Sequence, residues 1–440
     1  MKPKFATIQV ADLTPKQTQI SIFLIGCMFF IFGFISWVNA ILIPYFKIGC
    51  ELNNVEAYLV AFAFYIAYFI MSVPAGYLLK KVGFKKGMMF GFWAMAAGAF
   101  IFIPAAYTRT YGVFLIGLFT IGIGLSILQT AANPYITILG PKERAAQRIS
   151  IMGICNKAAG IFSPYIFAAV ILRSTDNTLF AQLKTMTAIE RETTLDELIL
   201  RVVNPYLALG CFLFLLGYVI YRSPLPEIDT EHEPPAVASS NVAKKSIFDF
   251  PHLILGAIAI FLHVGTQIIA IDTVIGYADS MGIGLIKAKS FPSYTLFCTV
   301  CGYVCGILLI PRIIKQLYML RICTILGLTL SVLILYARGT VHVMEHTADI
   351  SIWFVVALGL ANSLVWAGIW PLALDGLGRF TKTGASVLIM GLCGNAIMPL
   401  IYGYIGDKYH DLRFAYIVLI PCYLYLIFYA FKGYSVRRWK

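Results

Sequence analysis

Charged residues are scarce in this chain. Asp, Glu, Lys and Arg make up 12% of its 440 residues, against about 25% in soluble domains. Hydrophobic residues make up 60%, and the mean hydropathy is +0.82. So few charges cannot form a water-facing shell around so much apolar surface. The composition excludes a soluble protein and predicts a polytopic membrane protein.

Several functional motifs are also missing. No G-x-x-x-x-G-K-[ST] phosphate loop occurs, and the polar first 19 residues do not resemble a secretory signal peptide. Of the six histidines, we expect only His263 to be buried within a span. A membrane enzyme would need a cluster of histidines and carboxylates. We therefore expect no enzyme, no ATP site, no cofactor and no metal.

Long apolar runs account for most of the chain. A helix needs roughly 20 apolar residues to cross the hydrocarbon core. Twelve segments qualify: 20–46, 56–79, 88–107, 111–139, 149–172, 203–221, 252–279, 290–311, 320–338, 351–375, 384–406 and 412–432. The polar stretch 174–201 is expected to form a short amphipathic surface helix. The predicted fold is all-α, with twelve transmembrane helices.

The net charge of +13 is interpreted as a topology signal rather than a nucleic-acid signal. Most basic residues fall on one side of the predicted spans, and an excess of Lys and Arg marks the cytoplasmic side. The residues that carry this bias include Lys80, Lys81, Lys85, Lys86, Lys142, Arg144, Arg148, Arg437, Arg438 and Lys440. We therefore expect a membrane protein with both termini in the cytoplasm.

The two halves of the chain resemble each other. IMGICN at 151–156 matches IMGLCG at 389–394, 238 residues later, and Gly33 matches Gly265 at an offset of 232. The polar, proline-containing segment 222–248 lies between the halves. We predict a six-helix bundle at 1–221, a cytoplasmic linker at 222–248 and a second bundle at 249–440. In transporters built from such repeats the substrate site lies near the membrane midplane.

Polar side chains within the spans are candidates for that site, because they are costly in hydrocarbon. Carboxamides both donate and accept hydrogen bonds, which suits a ligand rich in hydroxyl groups, and tryptophans can stack on sugar rings. Hydrogen bonding between helices is the alternative role for each carboxamide. The predicted substrate-binding residues are Asn39, Gln129, Asn133, Asn156, Lys157, Gln267, Asn362, Trp366 and Asn395, with Trp37 and Trp370 as further stacking candidates.

Two ionisable residues lie deep in predicted spans. Lys157 is about 12 Å along its helix from the cytoplasmic edge, so it is either a ligand donor or a side chain that extends back to that edge. Asp272 lies near the other end of the seventh span. A carboxyl group in hydrocarbon favours its neutral form, as a proton-coupling residue requires. We predict Asp272 as the coupling residue, with a structural role as the alternative.

Three segments resemble the fucose/galactose/glucose:proton symporters of the major facilitator superfamily. They are LQTAANPYITILGP at 128–141, FFIFG at 29–33 with NAILIP at 39–44, and AFAFYIAYF at 61–69 with PAG at 74–76. RISIMGICNKAAG at 148–160 resembles the branch associated with N-acetylglucosamine and glucose uptake. The resemblance implies two six-helix pseudo-repeats and import of a neutral sugar such as glucose, galactose or fucose by alternating access.

The chain departs from that family at two carboxylates. Ala40 stands where the family has an Asp, and Gln129 stands where a Glu is common. At the repeat offset of 232, Ala40 corresponds to Asp272. Either the acidic group has moved to the pseudo-symmetric helix, or proton coupling has been lost.

Alternatives remain open for transport. They are an N-acetylglucosamine permease, coupling to sodium, an uncoupled sugar facilitator and a transporter-like sugar sensor. The expected partners are a sugar, a proton and the lipid bilayer, and the chain is expected to act as a monomer.

Overall fold

The computed structural model describes residues 14–138, 145–173, 175–183, 185–225, 246–310, 313–377 and 380–439. In these ranges twelve helical segments are long and apolar enough to cross a membrane. Each overlaps one predicted span, so the prediction of twelve transmembrane helices is confirmed. Hydropathy predicts these helices because a backbone in a bilayer must satisfy its hydrogen bonds internally. A single apolar segment can do so only as a helix.

In the described ranges, the first six spans and their connections comprise nine helices. Their bounds are α1 (Pro15–Trp37) and α2 (Asn39–Gly49) in span 1, α3 (Asn54–Val82) in span 2, α4 (Phe84–Thr108) in span 3, α5 (Tyr111–Ile138) in span 4, α6 (Ala145–Ile171) in span 5, the connecting helices α7 (Asp176–Gln182) and α8 (Ala188–Leu200), and α9 (Val203–Arg222) in span 6. The polar stretch 174–201 thus contains two helices rather than one.

The last six spans contain more interruptions. The helices are α10 (Pro251–Asp272) in span 7, α11 (Val274–Ser280), α12 (Leu285–Ala288), α13 (Ser290–Leu309) in span 8, α14 (Gln316–Tyr336) in span 9, α15 (Ile350–Asn362) and α16 (Val365–Leu374) in span 10, α17 (Thr381–Met390) and α18 (Gly394–Tyr409) in span 11, and α19 (Leu419–Phe431) in span 12. An antiparallel pair of strands, β1 (Thr340–Val343) and β2 (His346–Asp349), precedes span 10.

The internal repeat is visible in the packing of spans 2 and 4. A Cβ atom added to Gly122 in α5 would lie 2.2 Å from the backbone oxygen of Phe64 in α3. The equivalent contact joins spans 8 and 10, where a Cβ on Gly359 would lie 2.0 Å from the backbone oxygen of Thr295. Only glycine permits such close helix approach. The sequence offsets between these pairs, 231 and 237, are each within one residue of the offsets read from the sequence motifs.

A second pair of contacts repeats between spans 1 and 5 and between spans 7 and 11. The amide nitrogen Nδ2 of Asn156 lies 3.3 Å from the backbone oxygen of Phe29. Gly394 and Phe261 occupy the equivalent positions, and a Cβ on Gly394 would lie 1.9 Å from the oxygen of Phe261. The pseudo-symmetry of the two halves therefore extends to individual backbone contacts.

Contacts divide the chain into two compact units. The first comprises Met1–Ile35, Ala63–Ala159 and Asp196–Ala236, and the second comprises Ser36–Phe62, Gly160–Leu195 and Val237–Lys440. The boundaries cut through α1, α3, α6 and α8. The units therefore differ from the predicted bundles 1–221 and 249–440, whose division stays a prediction. Most of the predicted linker, at 226–245, lies outside the described residues.

The second unit has a well-defined end where its loops meet. Successive spans alternate in direction, so the loops after spans 1, 5, 7, 9 and 11 lie at one end. Two ion pairs join segments there: Arg191 pairs with Glu51 at 2.5 Å, and Arg413 pairs with Asp349 at 3.2 Å. We call this the hairpin end, after the β1–β2 hairpin.

Candidate functional site

In the first unit, Gln129 is held by a neighbouring helix. Its Nε2 donates a 3.0 Å hydrogen bond to the hydroxyl of Tyr68 in α3, and the side chain is half-buried. The carboxamide of Gln129 therefore has a neutral hydrogen-bond partner and adds no charge to its span. Tyr68 was not among the candidates predicted from the sequence.

Asn156 and Lys157 follow each other on α6 and have different environments. The half-buried Asn156 donates one amide hydrogen to the backbone oxygen of Phe29. Lys157 is only 8% exposed, so its ammonium group does not lie open at the surface of the chain. Asn133 belongs to α5, and its side chain lies outside the described part of the structure.

In the second unit, Asn362 is the centre of a small polar network at the end of α15. Its Oδ1 accepts hydrogen bonds from Thr266 Oγ1 at 3.1 Å and from Tyr423 Oη at 3.0 Å. The residue is 1% exposed, and its Nδ2 has no hydrogen-bond partner within the described chain. Two hydroxyl groups therefore fix the orientation of an amide whose own hydrogens remain unused.

Asn39 shares this property. It opens α2, directly after the break in span 1 at Val38, and is 1% exposed. Its Nδ2 likewise finds no partner among the described residues. A buried donor left unpaired costs roughly 1–3 kcal/mol, so two such amides identify positions where a hydrogen-bonding ligand would stabilise the protein.

The remaining predicted residues of this unit are less buried. Gln267 follows Thr266 on α10 and Asn395 lies at the start of α18, and both are half-buried. The rings of Trp366 and Trp370 stack on each other, with centroids 5.2 Å apart and an interplanar angle of 22°. Trp37, in contrast, is buried against Gly160 of α6.

Asp272 is the last residue of α10 and is buried. It is 1% exposed, and neither carboxyl oxygen has a hydrogen bond within the described chain. The negative end of the helix dipole also lies at this helix terminus. Both burial and the dipole make an ionised carboxylate costly there. Within the described residues, Asp272 is therefore not part of a structural ion pair.

A cluster of tyrosines lies beside Asp272, and the sequence analysis missed it. Tyr58 of α3 is within electrostatic reach of Asp272 and packs edge-on against Tyr402, with centroids 5.8 Å apart. Tyr416 packs against Tyr402 at 4.9 Å, and its hydroxyl lies 2.9 Å from Oγ1 of Thr273. These tyrosines come from spans 2, 11 and 12, and no local pattern marks them as neighbours.

Asp375, which directly follows α16, lies in a different setting. Its carboxylate pairs with Arg437 at 2.5 Å, and its side chain is 63% exposed. The nearby His252 is buried, and its Nε2 lies 2.9 Å from the backbone oxygen of Asp375. The expectation that only His263 would be buried is therefore wrong. A ring that bonds a loop carbonyl can be buried even at a span end.

Comparisons with known proteins agree with this architecture. The Major Facilitator Superfamily matches residues 25–395. A protein of Brucella abortus named glucose/galactose transporter is 34% identical over 413 residues, which cover 92% of each chain. The L-fucose-proton symporter of Escherichia coli is 28% identical, with 95% of this chain and 94% of that protein covered.

A solved structure resembles the whole chain. The crystal structure of the transporter FucP in the outward conformation has a TM-score of 0.69 and 26% identity, and the match covers 94% of this chain and 98% of FucP. Twelve apolar helices, two related halves and these matches lead to one assignment. The chain is a multi-pass membrane protein that belongs to the Major Facilitator Superfamily.

Proposed function

We propose that this protein imports a neutral sugar by alternating access, coupled to protons. Relatives that cover nearly its whole length are named glucose/galactose transporter and L-fucose-proton symporter. The structural observation that carries the proposal is the pair of buried amides, Asn39 and Asn362, whose donors have no partner within the described chain. Hydroxyl groups of a sugar would satisfy them without requiring a counter-charge.

The proposed substrate-binding set is that of the sequence analysis. Gln267, Asn395 and Trp366 lie in the same unit as Asn39 and Asn362, while Gln129, Asn133, Asn156 and Lys157 lie in the first unit. Gln129 retains its carbonyl oxygen as an acceptor after donating to Tyr68. Lys157 is proposed as a donor to a ligand oxygen, since its ammonium group carries three N–H donors.

Proton coupling is assigned to Asp272. The carboxylates usual in the family are replaced by Ala40 and Gln129, neither of which titrates. Asp272 is buried and has no hydrogen-bond partner among the described residues, whereas Asp375 is exposed and paired. A site for sodium would need several oxygen ligands directed at one point, and the carboxyl group of Asp272 has no polar partner within the described chain. This favours protons over sodium.

The proposal extends to the membrane in which the protein lies, its orientation and its oligomeric state. We propose the bacterial inner membrane, with both termini in the cytoplasm, so that the hairpin end is periplasmic. The chain would act as a monomer made of the bundles 1–221 and 249–440.

Uptake into vesicles tests the proposal. Vesicles containing the protein would be offered a panel of hexoses and N-acetylhexosamines, with and without an imposed pH or sodium gradient. We expect accumulation of one neutral sugar driven by the pH gradient. Uptake indifferent to both gradients would identify a facilitator, preference for N-acetylglucosamine would identify that permease, and no uptake of any sugar would contradict transport.

A further inference from the structure

The start of span 2 is held by a carboxylate from span 11. Asp407 of α18 accepts hydrogen bonds from the backbone nitrogens of Asn54 at 3.2 Å and Val55 at 2.9 Å, and from the side-chain amide of Asn54 at 2.5 Å. Asp407 and Asn54 are 353 positions apart in the chain. All belong to the second unit and lie at its hairpin end.

The first turn of α3 leaves no amide unsatisfied. The nitrogen of Glu56 donates to Oδ1 of Asn53 at 2.8 Å, and the nitrogen of Asn53 donates to Glu56 at 2.9 Å. This capping box accounts for the third amide of the helix. Asp407 provides the acceptor for the first two, which a helix cannot satisfy by itself. The positive end of the helix dipole strengthens the attraction for a carboxylate.

A cation completes the arrangement from span 1. Nζ of Lys47 donates to Oδ1 of Asn54 at 2.6 Å. The Asn54 amide therefore accepts from Lys47 and donates to Asp407, so three spans meet at one side chain. Charge-assisted hydrogen bonds such as these are stronger than neutral ones.

The helices α18 and α3 also pack closely one helical turn further from the hairpin end. A Cβ on Gly403 of α18 would lie 2.6 Å from Cδ2 of Tyr58 and 3.2 Å from the backbone of Asn54. Tyr58 also contacts Tyr402 and lies near Asp272. Other charged groups at this end form ion pairs of their own, as Arg413 does with Asp349 and Arg191 with Glu51. The contact of Asp407 with α3 therefore lies one helical turn closer to the hairpin end than Tyr58, the tyrosine near Asp272.

We propose that Asp407 is a gate residue, whose hydrogen bonds to the start of α3 keep the hairpin end closed in this conformation. The proposal rests on the transport function proposed above, because alternating access requires spans 2 and 11 to separate at this end when the substrate enters. Opening then breaks the three bonds to Asp407 and exposes Tyr58 and Asp272 to water. Asp407 is a positioning residue that need not contact the sugar.

Cysteine labelling tests the gate without sugar or proton gradients. Ala61 is buried on the same face of α3 as Asn54 and Tyr58, so an Ala61→Cys reporter becomes accessible when the spans separate. The full-length protein in vesicles would be exposed to a membrane-impermeant maleimide on the side of the hairpin end. The labelling of the native cysteines, measured on the parent chain, would be subtracted. Asp407→Ala should raise the labelling rate at least about tenfold, because it removes three hydrogen bonds and the loss of one charge-assisted hydrogen bond alone corresponds to about that factor.

Asp411 provides a matched control. Its carboxylate also accepts two backbone hydrogen bonds at the hairpin end, from Arg413 at 2.8 Å and Phe414 at 3.1 Å, but within its own segment. Asp411→Ala should leave labelling unchanged. Gly403→Val, which separates the spans by steric pressure on Tyr58, should raise labelling even if Asp407→Ala folds poorly.

The outcomes separate the two proposals. Labelling of both Asp407→Ala and Gly403→Val at the parent rate would overturn the gate, and so would an equal increase in Asp411→Ala. Increased labelling in the first two variants alone would support the gate. If the parent protein then transports no sugar, the proposed function fails while the gate remains.

Discussion

The hydroxyl of Tyr423 donates a 3.0 Å hydrogen bond to Oδ1 of Asn362. Thr266 donates to the same oxygen, so the amide cannot exchange its oxygen and nitrogen positions without losing both bonds. The unpaired Nδ2 of Asn362 is thereby fixed in direction before any ligand binds. Preorganisation of this kind lowers the entropic cost of binding.

Tyr423→Phe tests this orientation. It removes one of the two hydroxyl donors, so sugar affinity should fall roughly threefold to tenfold, the equivalent of one hydrogen bond worth about 0.5–1.5 kcal/mol. Isothermal titration calorimetry with the transported sugar measures this affinity. Tyr425→Phe is the control, because its hydroxyl lies on the same helix and bonds only a backbone oxygen, that of Leu255. Equal affinity in both variants would argue against the network.

Asn133→Ala and Gln267→Ala test the carboxamide set directly. Each should weaken sugar binding by at least about threefold, since each removes a hydrogen bond to an uncharged ligand. Expression and thermal stability should stay close to those of the parent protein. Unchanged affinity in both variants would make these residues helix-packing groups.

Lys157 is expected to be essential for uptake. Lys157→Ala should reduce transport strongly, because it removes a buried donor. Lys157→Arg should not restore it, since a guanidinium is larger and forked. Initial rates of uptake in vesicles measure both variants. Normal transport by Lys157→Ala would show that the side chain serves only to reach the cytoplasmic edge.

Asp272→Asn separates coupling from transport. The amide retains the shape of the carboxyl group but cannot ionise, so sugar exchange should continue while accumulation driven by a pH gradient is lost. Counterflow and gradient-driven uptake, measured on the same vesicles, distinguish the two. Asp375→Asn is the matched control, since its exposed carboxylate pairs with Arg437. Unimpaired accumulation in Asp272→Asn would return Asp272 to a structural role.

Local patterns in the sequence were sufficient to predict the architecture. Hydropathy located all twelve spans, because a helix in a bilayer depends mainly on its own residues. The repeat of IMGICN at 151–156 in IMGLCG at 389–394 marks Asn156 and Gly394 as equivalent positions, and in the structure they lie against the equivalent residues Phe29 and Phe261.

The sequence by itself determined the spans, their repeat and which polar residues lie within them. Only the tertiary structure decided which of those residues have partners. Asn156 and Gln129 donate to neighbouring helices, whereas Asp272 and the amide nitrogens of Asn39 and Asn362 find no partner in the described chain. Asp407 meets Asn54 across 353 residues. The physical reason is that apolar helices are compatible with many packing arrangements, and the direction each face takes depends on side-chain fit between distant spans.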